Sequence, residues 1–160
     1  MSDSSVGFIE RRLVEARNLF VVGDVVGFNG ALRDVVKLSG CFPVLGLDID
    51  GVITDFPEFF VSLSNSWPGR VVVVSFRDNY DKAFKLLKNV GVYFDDLILS
   101  PSLDKSEIIR SEKINIFIDD QDECIQNVDD NVLVLKARNG GNFSGGKWLY
   151  SMVTGKLVGF

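Results

Sequence analysis

The sequence predicts an α/β fold of three layers, a parallel β-sheet with helices on both faces. Three observations carry this. Short β-rich runs alternate with helical patterns from residue 43 onward. The runs are apolar without clear alternation, which marks strands buried on both faces. Three of them end in polar, reactive side chains, and in parallel sheets ligands bind beyond the carboxyl ends of the strands.

Taken in order, residues 1–40 form an N-terminal helical extension. Ile9, Leu13, Ala16 and Phe20 make one apolar stripe and Phe28, Leu32 and Val35 another, predicting two helices that pack on the sheet or on a second subunit, as in a homodimer. Residues 44–137 carry the motif-bearing core. Its strands are "PVLGLDI" (43–49), "RVVVVSF" (70–76), "DLILS" (96–100), "INIFID" (114–119) and "NVLVLKA" (131–137). Between them lie helices over 56–64, with Asp55 as N-cap and Pro57 in the first turn, over 79–89, with Ala83, Leu86, Leu87 and Val90 on one face, and over 104–112. Residues 138–160 are a glycine-rich loop and tail. Gly140, Gly141, Gly145 and Gly146 predict a mobile loop that carries Lys147 and Trp148.

At 160 residues and 46% hydrophobic, the chain reads as a single domain over 1–160 with a full core. It has no histidine and two distant cysteines, Cys41 and Cys124, which supports neither a disulfide framework nor a zinc site. A reducing, cytoplasmic setting follows. No apolar run approaches the roughly 20 residues of a membrane span, and the start lacks a signal-peptide pattern, so no membrane partner is expected. The net charge of −5 is uneven. Residues 95–130 hold eleven acids against three bases, whereas residues 131–160 hold four bases and no acid. Nucleic acid is therefore an unfavoured partner.

The chemistry concentrates at strand ends. Asp48 and Asp50 follow the first strand, Ser75 and Arg77 the second, and Asp119 and Asp120 the fourth. Crowded carboxylates raise one another's pKa unless a cation sits among them. Hard oxygen ligands suit Mg²⁺, which takes one or two carboxylates plus a substrate phosphate. Each piece also has a plainer reading. Asp-x-Asp-Gly alone suits a surface turn, Asp119-Asp120 alone suits a helix N-cap pair, Ser75 alone suits a simple strand end, Arg77 a surface base and Lys105 an exposed lysine at a helix N-terminus. Their joint placement in one alternating chain favours a site.

At these residues the sequence resembles the haloacid dehalogenase-like hydrolases. "LDIDGVITD" is similar to their first motif, Ser75 ending "VVVVS" to the second, Lys105 in "PSLDKSEII" to the third and "IFIDDQDE" to the fourth, in order over roughly residues 44–135. The stretch after Ser75, with Arg77 two residues on, looks like nucleotidase-like and polynucleotide-phosphatase-like members. The resemblance implies a Rossmann-like fold and a Mg²⁺-dependent phosphomonoester hydrolase. It implies Asp48 as nucleophile, Asp50 as general acid–base, and Ser75 and Lys105 on the phosphate oxygens. Mg²⁺ would lie between Asp48 and Asp120 with help from the Asp50 carbonyl, and Asp119 would orient Lys105 or the metal waters. Gly51 lets the chain turn sharply beside a phosphate, and Arg77 is a further substrate-binding candidate.

Family members often insert a cap domain between these motifs. Here Asp50 and Ser75 are 25 residues apart and Ser75 and Lys105 are 30, enough for a helix and its connections only, so no cap domain is expected. Lys147 and Trp148 are then candidates to complete the substrate site, with core packing as the other reading for Trp148. The expected substrate is a nucleotide or another small-molecule phosphate ester. The alternatives are a polynucleotide or protein-borne phosphate, and a non-catalytic binding or regulatory protein on the same fold.

Overall fold

The computed structural model describes residues 3–21, 30–31, 34–35 and 42–148. The chain falls into two units, Met1–Pro43 with Pro68–Arg70, and Val44–Trp67 with Val71–Phe160.

In the first unit, helix α1 spans Asp3–Val21. The expected apolar stripe is split, because Ala16 is buried while Leu13 is exposed. Arg12, on the same helix, is paired with Glu15 and with Asp34. Val35 is helical and half-buried, whereas Phe28, Leu32, Cys41 and the side chain of Phe20 lie outside the described residues.

The second unit is built on a five-stranded parallel sheet: β1 Leu45–Leu47, β2 Val71–Ser75, β3 Asp96–Leu99, β4 Ile116–Asp119 and β5 Leu133–Lys136. All five lie inside the runs expected from the sequence. The strand order is β3-β2-β1-β4-β5. From β1 the chain steps outward through β2 to β3, then crosses back to β4 and continues to β5. The loops leaving β1 and β4 therefore diverge, which opens a crevice at the carboxyl ends of those two strands.

Among its described residues this unit also carries helices α2 (Pro57–Ser66), α3 (Tyr80–Val90), α4 (Ser106–Ser111) and α5 (Asp122–Ile125). The valines of β2 show how the sheet is covered. Val71 and Val73 pack in a cluster with Phe60 of α2 and with Ala83 and Leu87 of α3. Val72 and Val74 pack in a second cluster with Ile109 of α4 and Phe117 of β4. Successive residues of a strand point to opposite faces, so helices cover both. Each fully buried aliphatic side chain contributes about 1.5–3 kcal/mol. Edge strand β5 departs from the expectation, since Leu133 and Leu135 are exposed.

Helix α3 starts where expected, with Asn79 Oδ1 accepting from Lys82 N at 2.9 Å. The N-terminus of α2 differs from the sequence reading. Phe56, not Asp55, occupies the N-cap position, and Asp55 Oδ1 instead accepts from Thr54 Oγ1 at 3.1 Å. Thr54, one residue back, draws the Asp55 carboxylate away from the helix. In the glycine-rich segment, β6 (Phe143–Ser144) and β7 (Lys147–Trp148) pair as an antiparallel hairpin. Gly145 and Gly146 take φ of 55° and 77°, the positive values a two-residue hairpin turn needs. Among the described residues no helix is long and apolar enough to cross a membrane.

Candidate functional site

Strand β1 stops at Leu47, and the backbone N–H of Asp48 still donates to Ile118 O of β4 at 3.0 Å. Asp48 is thereby held level with the end of β4. The chain then winds through Ile49–Ile53 in a wide turn that leaves helical dihedrals at Asp50 and Gly51. Gly51 has φ +77°, and a Cβ there would sit 2.3 Å from Asp120 Oδ2. Only glycine lets the first loop approach the fourth strand's end this closely.

Four residues expected to be catalytic, Asp48, Asp50, Ser75 and Lys105, line one cavity of about 90 Å³ with Phe76 and Cys124 among its other walls. Lys105 is only 1% exposed. Its Nζ lies 2.8 Å from Asp48 Oδ1 and 2.7 Å from Asp119 Oδ2, which rules out the reading of an exposed lysine at a helix start. Asp119 also accepts from Gln121 N at 2.9 Å, so both its oxygens are used and it orients Lys105. Ser75 is 1% exposed, and its Oγ has no hydrogen-bond partner among the described residues. A buried hydroxyl left in this way is costly unless something in the cavity satisfies it. Cys124 is buried with a free thiol, and burial followed by the charge of Asp119 raises its pKa, so the thiol stays protonated.

Asp48, Asp119 and Asp120 are buried together, each with a carboxylate oxygen within 4.8 Å of the others'. Burial pushes Asp48 up to about 7; Lys105 opposes the shift and Asp119 adds to it. For Lys105 burial disfavours the charge, but Asp48 and then Asp119 outweigh it and hold the ammonium above its ordinary value. One ammonium does not balance three buried carboxylates. The donor set fits a metal ion. All three are hard oxygens, and Asp48 Oδ1 meets Lys105 in a charge contact without hydrogen-bond alignment, which leaves it a lone pair to offer.

Other candidates fall differently. Arg77 grips Asp50 with two bonds, Nε to Oδ2 at 2.8 Å and Nη2 to Oδ1 at 2.6 Å, both groups half-exposed. Lys147 and Trp148 lie on β7 and do not line the cavity. Trp148 is 40% exposed, so it is no core residue; its ring meets Phe143 edge-on at 5.3 Å, with the Lys136 ammonium 5.1 Å from its centre.

Two residues that sequence reasoning missed complete the site. Asn139 Nδ2 donates to Gly51 O at 3.0 Å and to Asp120 Oδ2 at 2.9 Å. Asn142 Nδ2 donates to Asp120 O at 2.9 Å and to Ala137 O at 2.7 Å, and its Oδ1 accepts from Asn139 N. Both are buried. The stretch "RNGGN" reads as a flexible loop in sequence; only the pairing of β5 beside β4 brings it under Asp120. The pair acts as a clamp on the aspartate and on the Gly51 turn. Asn139→Ala is expected to raise the divalent cation concentration for half-saturation about 10- to 100-fold, the usual cost of removing an outer-shell partner. Calorimetric titration checks this, and unchanged cation affinity in a less stable variant would make the clamp purely structural.

Fold and site together define an α/β protein with a buried aspartate cluster, able to hold a metal ion, at the carboxyl edge of its sheet. Comparison with protein-family models, curated proteins and solved structures finds no match.

Proposed function

We propose that the protein is a Mg²⁺-dependent phosphomonoester hydrolase acting through an aspartyl-phosphate, in the manner of the haloacid dehalogenase-like enzymes its motifs resemble. One observation carries this reading: Asp48 and Asp50 from the turn after β1, Ser75 from the end of β2 and Lys105 from the start of α4, three separate segments, meet in a single small cavity beside the aspartate cluster.

Asp48 attacks phosphorus through a carboxylate oxygen, forming the acyl phosphate as the bond to the leaving oxygen breaks. Asp50 gives that oxygen a proton, then takes one from the water that attacks the acyl phosphate, freeing Asp48 and inorganic phosphate. Arg77 holds both Asp50 oxygens, so it sets the carboxylate's position and has to loosen its grip for each proton transfer. Lys105 and Ser75 donate to the phosphate oxygens where charge builds, which also gives the Ser75 hydroxyl its partner. Asp48 and Asp120 would hold Mg²⁺, joined in the family pattern by the Asp50 carbonyl. When bound, the ion neutralises the cluster, keeps Asp48 ionised and draws charge from the phosphate.

p-Nitrophenyl phosphate should be hydrolysed with Mg²⁺ and not with EDTA. No turnover of this or any of a panel of phosphate esters, with Mg²⁺ at saturating concentration, would leave the fold as a binding or regulatory protein.

A further inference from the structure

The catalytic cavity is too small for a whole substrate. Small-molecule sites commonly span roughly 300–1,000 Å³, whereas this one offers about 90 Å³, suited to a phosphoryl group alone. The organic part of an ester has to rest elsewhere. A wider cleft of about 520 Å³ lies alongside, lined by Phe76, Arg77, Asp78, Leu99, Ser100 and Pro101. Phe76 walls both spaces. The two also share an edge of the sheet: Ser75 and Phe76 leave β2, and Ser100 follows β3, its N–H donating to Ser75 O at 2.8 Å. The cleft therefore continues outward from the phosphoryl position along the carboxyl ends of β2 and β3.

Its chemistry is selective. Phe76 is 51% exposed and offers an aromatic surface, and Leu99 and Pro101 add apolar wall. The lining cation, Arg77, is committed to both oxygens of Asp50. Asp78 contributes a negative charge, and Ser100 Oγ already donates to Ser102 O at 2.6 Å. A flat apolar ring is accommodated; a second phosphate would meet a carboxylate and a guanidinium already engaged.

We propose that this cleft is the leaving-group subsite and that it selects monophosphate esters of uncharged aromatic groups, such as a nucleoside monophosphate, with Phe76 as the stacking surface. The proposal rests on the hydrolase reading above and assigns the substrate class of that same site. Base stacking on an aromatic side chain has a known magnitude, so Phe76→Ala is expected to raise KM for phenyl phosphate and a nucleoside monophosphate about 5- to 100-fold. Because Phe76 also walls the phosphoryl cavity, the discriminating readout is the ratio: KM should rise at least about fivefold more for the aromatic esters than for glycerol phosphate, and Phe76→Trp should restore the aromatic preference. A nucleoside diphosphate should be turned over at least tenfold less efficiently than the monophosphate.

Calorimetry with non-hydrolysable phenylphosphonate and methylphosphonate, in the presence of Mg²⁺, separates the two ideas. Tighter binding of the phenyl compound that disappears in Phe76→Ala supports the subsite even if no ester is hydrolysed, in which case only the hydrolase reading falls. Equal binding of the two phosphonates, equal KM changes for aromatic and aliphatic esters, or preference for the diphosphate overturns the subsite. Since Phe76 is half-exposed, the variant should melt with the parent, and the melt verifies that each comparison is made on folded protein.

Discussion

Asp48→Asn is expected to lower kcat for phosphomonoesters by on the order of 10⁴- to 10⁶-fold, the scale seen when an enzyme's nucleophile is removed. The amide is nearly isosteric, and the backbone bond from residue 48 to Ile118 O does not involve the side chain. The protein should therefore fold. What it loses is a group able to form an acyl phosphate. Its pH dependence should change as well. Burial pushes Asp48 up to about 7 from an ordinary 3.8, so the folded state binds this proton more tightly than the unfolded chain does. A carboxyl raised in this way favours folding at low pH and withdraws that stability as pH rises from about 4 to 7. In metal-free Asp48→Asn that part of the slope should vanish. Denaturant titrations between pH 4 and 8 test the sign, and phosphatase assays with and without Mg²⁺ test the role. Near-parental turnover would remove the mechanism.

Lys105→Met should be the most damaging substitution to the metal-free fold, costing about 3–5 kcal/mol, as expected when one partner of a buried ion pair is removed. The methionine stem keeps most of the packing, but Asp48 and Asp119 are left buried without their ammonium, with the carboxylate of Asp120 close by. Protonation then becomes the cheapest remedy. The Lys105 pKa is raised, so its contribution is fully present below the ordinary lysine value and is lost only as pH rises through the raised one. Between pH 5 and 8 the lysine itself does not titrate. Any pH dependence added by the variant therefore belongs to the carboxylates, and stability should recover toward pH 5. A divalent cation should recover part of it at pH 8. A loss under about 1 kcal/mol, flat with pH, would mean that the cluster is far better solvated than its burial implies.

These two predictions rest on parts of the protein that became visible at different levels. The β-rich runs and the acids at their ends were legible because strand burial and residue type are written locally: "RVVVVS" has no way to face water on either side, and the strand β2 it predicts is buried throughout. The α3 helix was equally legible, since Asn79 caps it and its apolar spacing is helical. The Asp55 cap failed because a cap depends on which nearby hydroxyl or amide reaches the carboxylate first, and here Thr54 does. The glycine-rich stretch failed in a more useful way. Glycine and asparagine signal loops in any sequence, yet Gly145 and Gly146 form a tight hairpin turn, while Asn139 and Asn142 are buried under Asp120.

By itself, the sequence determined the alternating α/β class, the strands, and Asp48, Asp50, Ser75, Lys105, Asp119 and Asp120 as candidates: the acids stand out by residue type at the ends of apolar runs, while Ser75 and Lys105 gain meaning only from their placement in order among them. The tertiary structure decided which of these meet. Strand order places β4 beside β1 although about 70 residues separate them, so Lys105 finds Asp48 and Asp119, and Asn139 finds Gly51 and Asp120. It also gave Arg77 to Asp50 and kept Trp148 off the cavity wall. The physical reason is that propensity and periodicity act over a few residues, while ion pairing and the satisfaction of buried polar groups act across space between segments that only the packed sheet brings together.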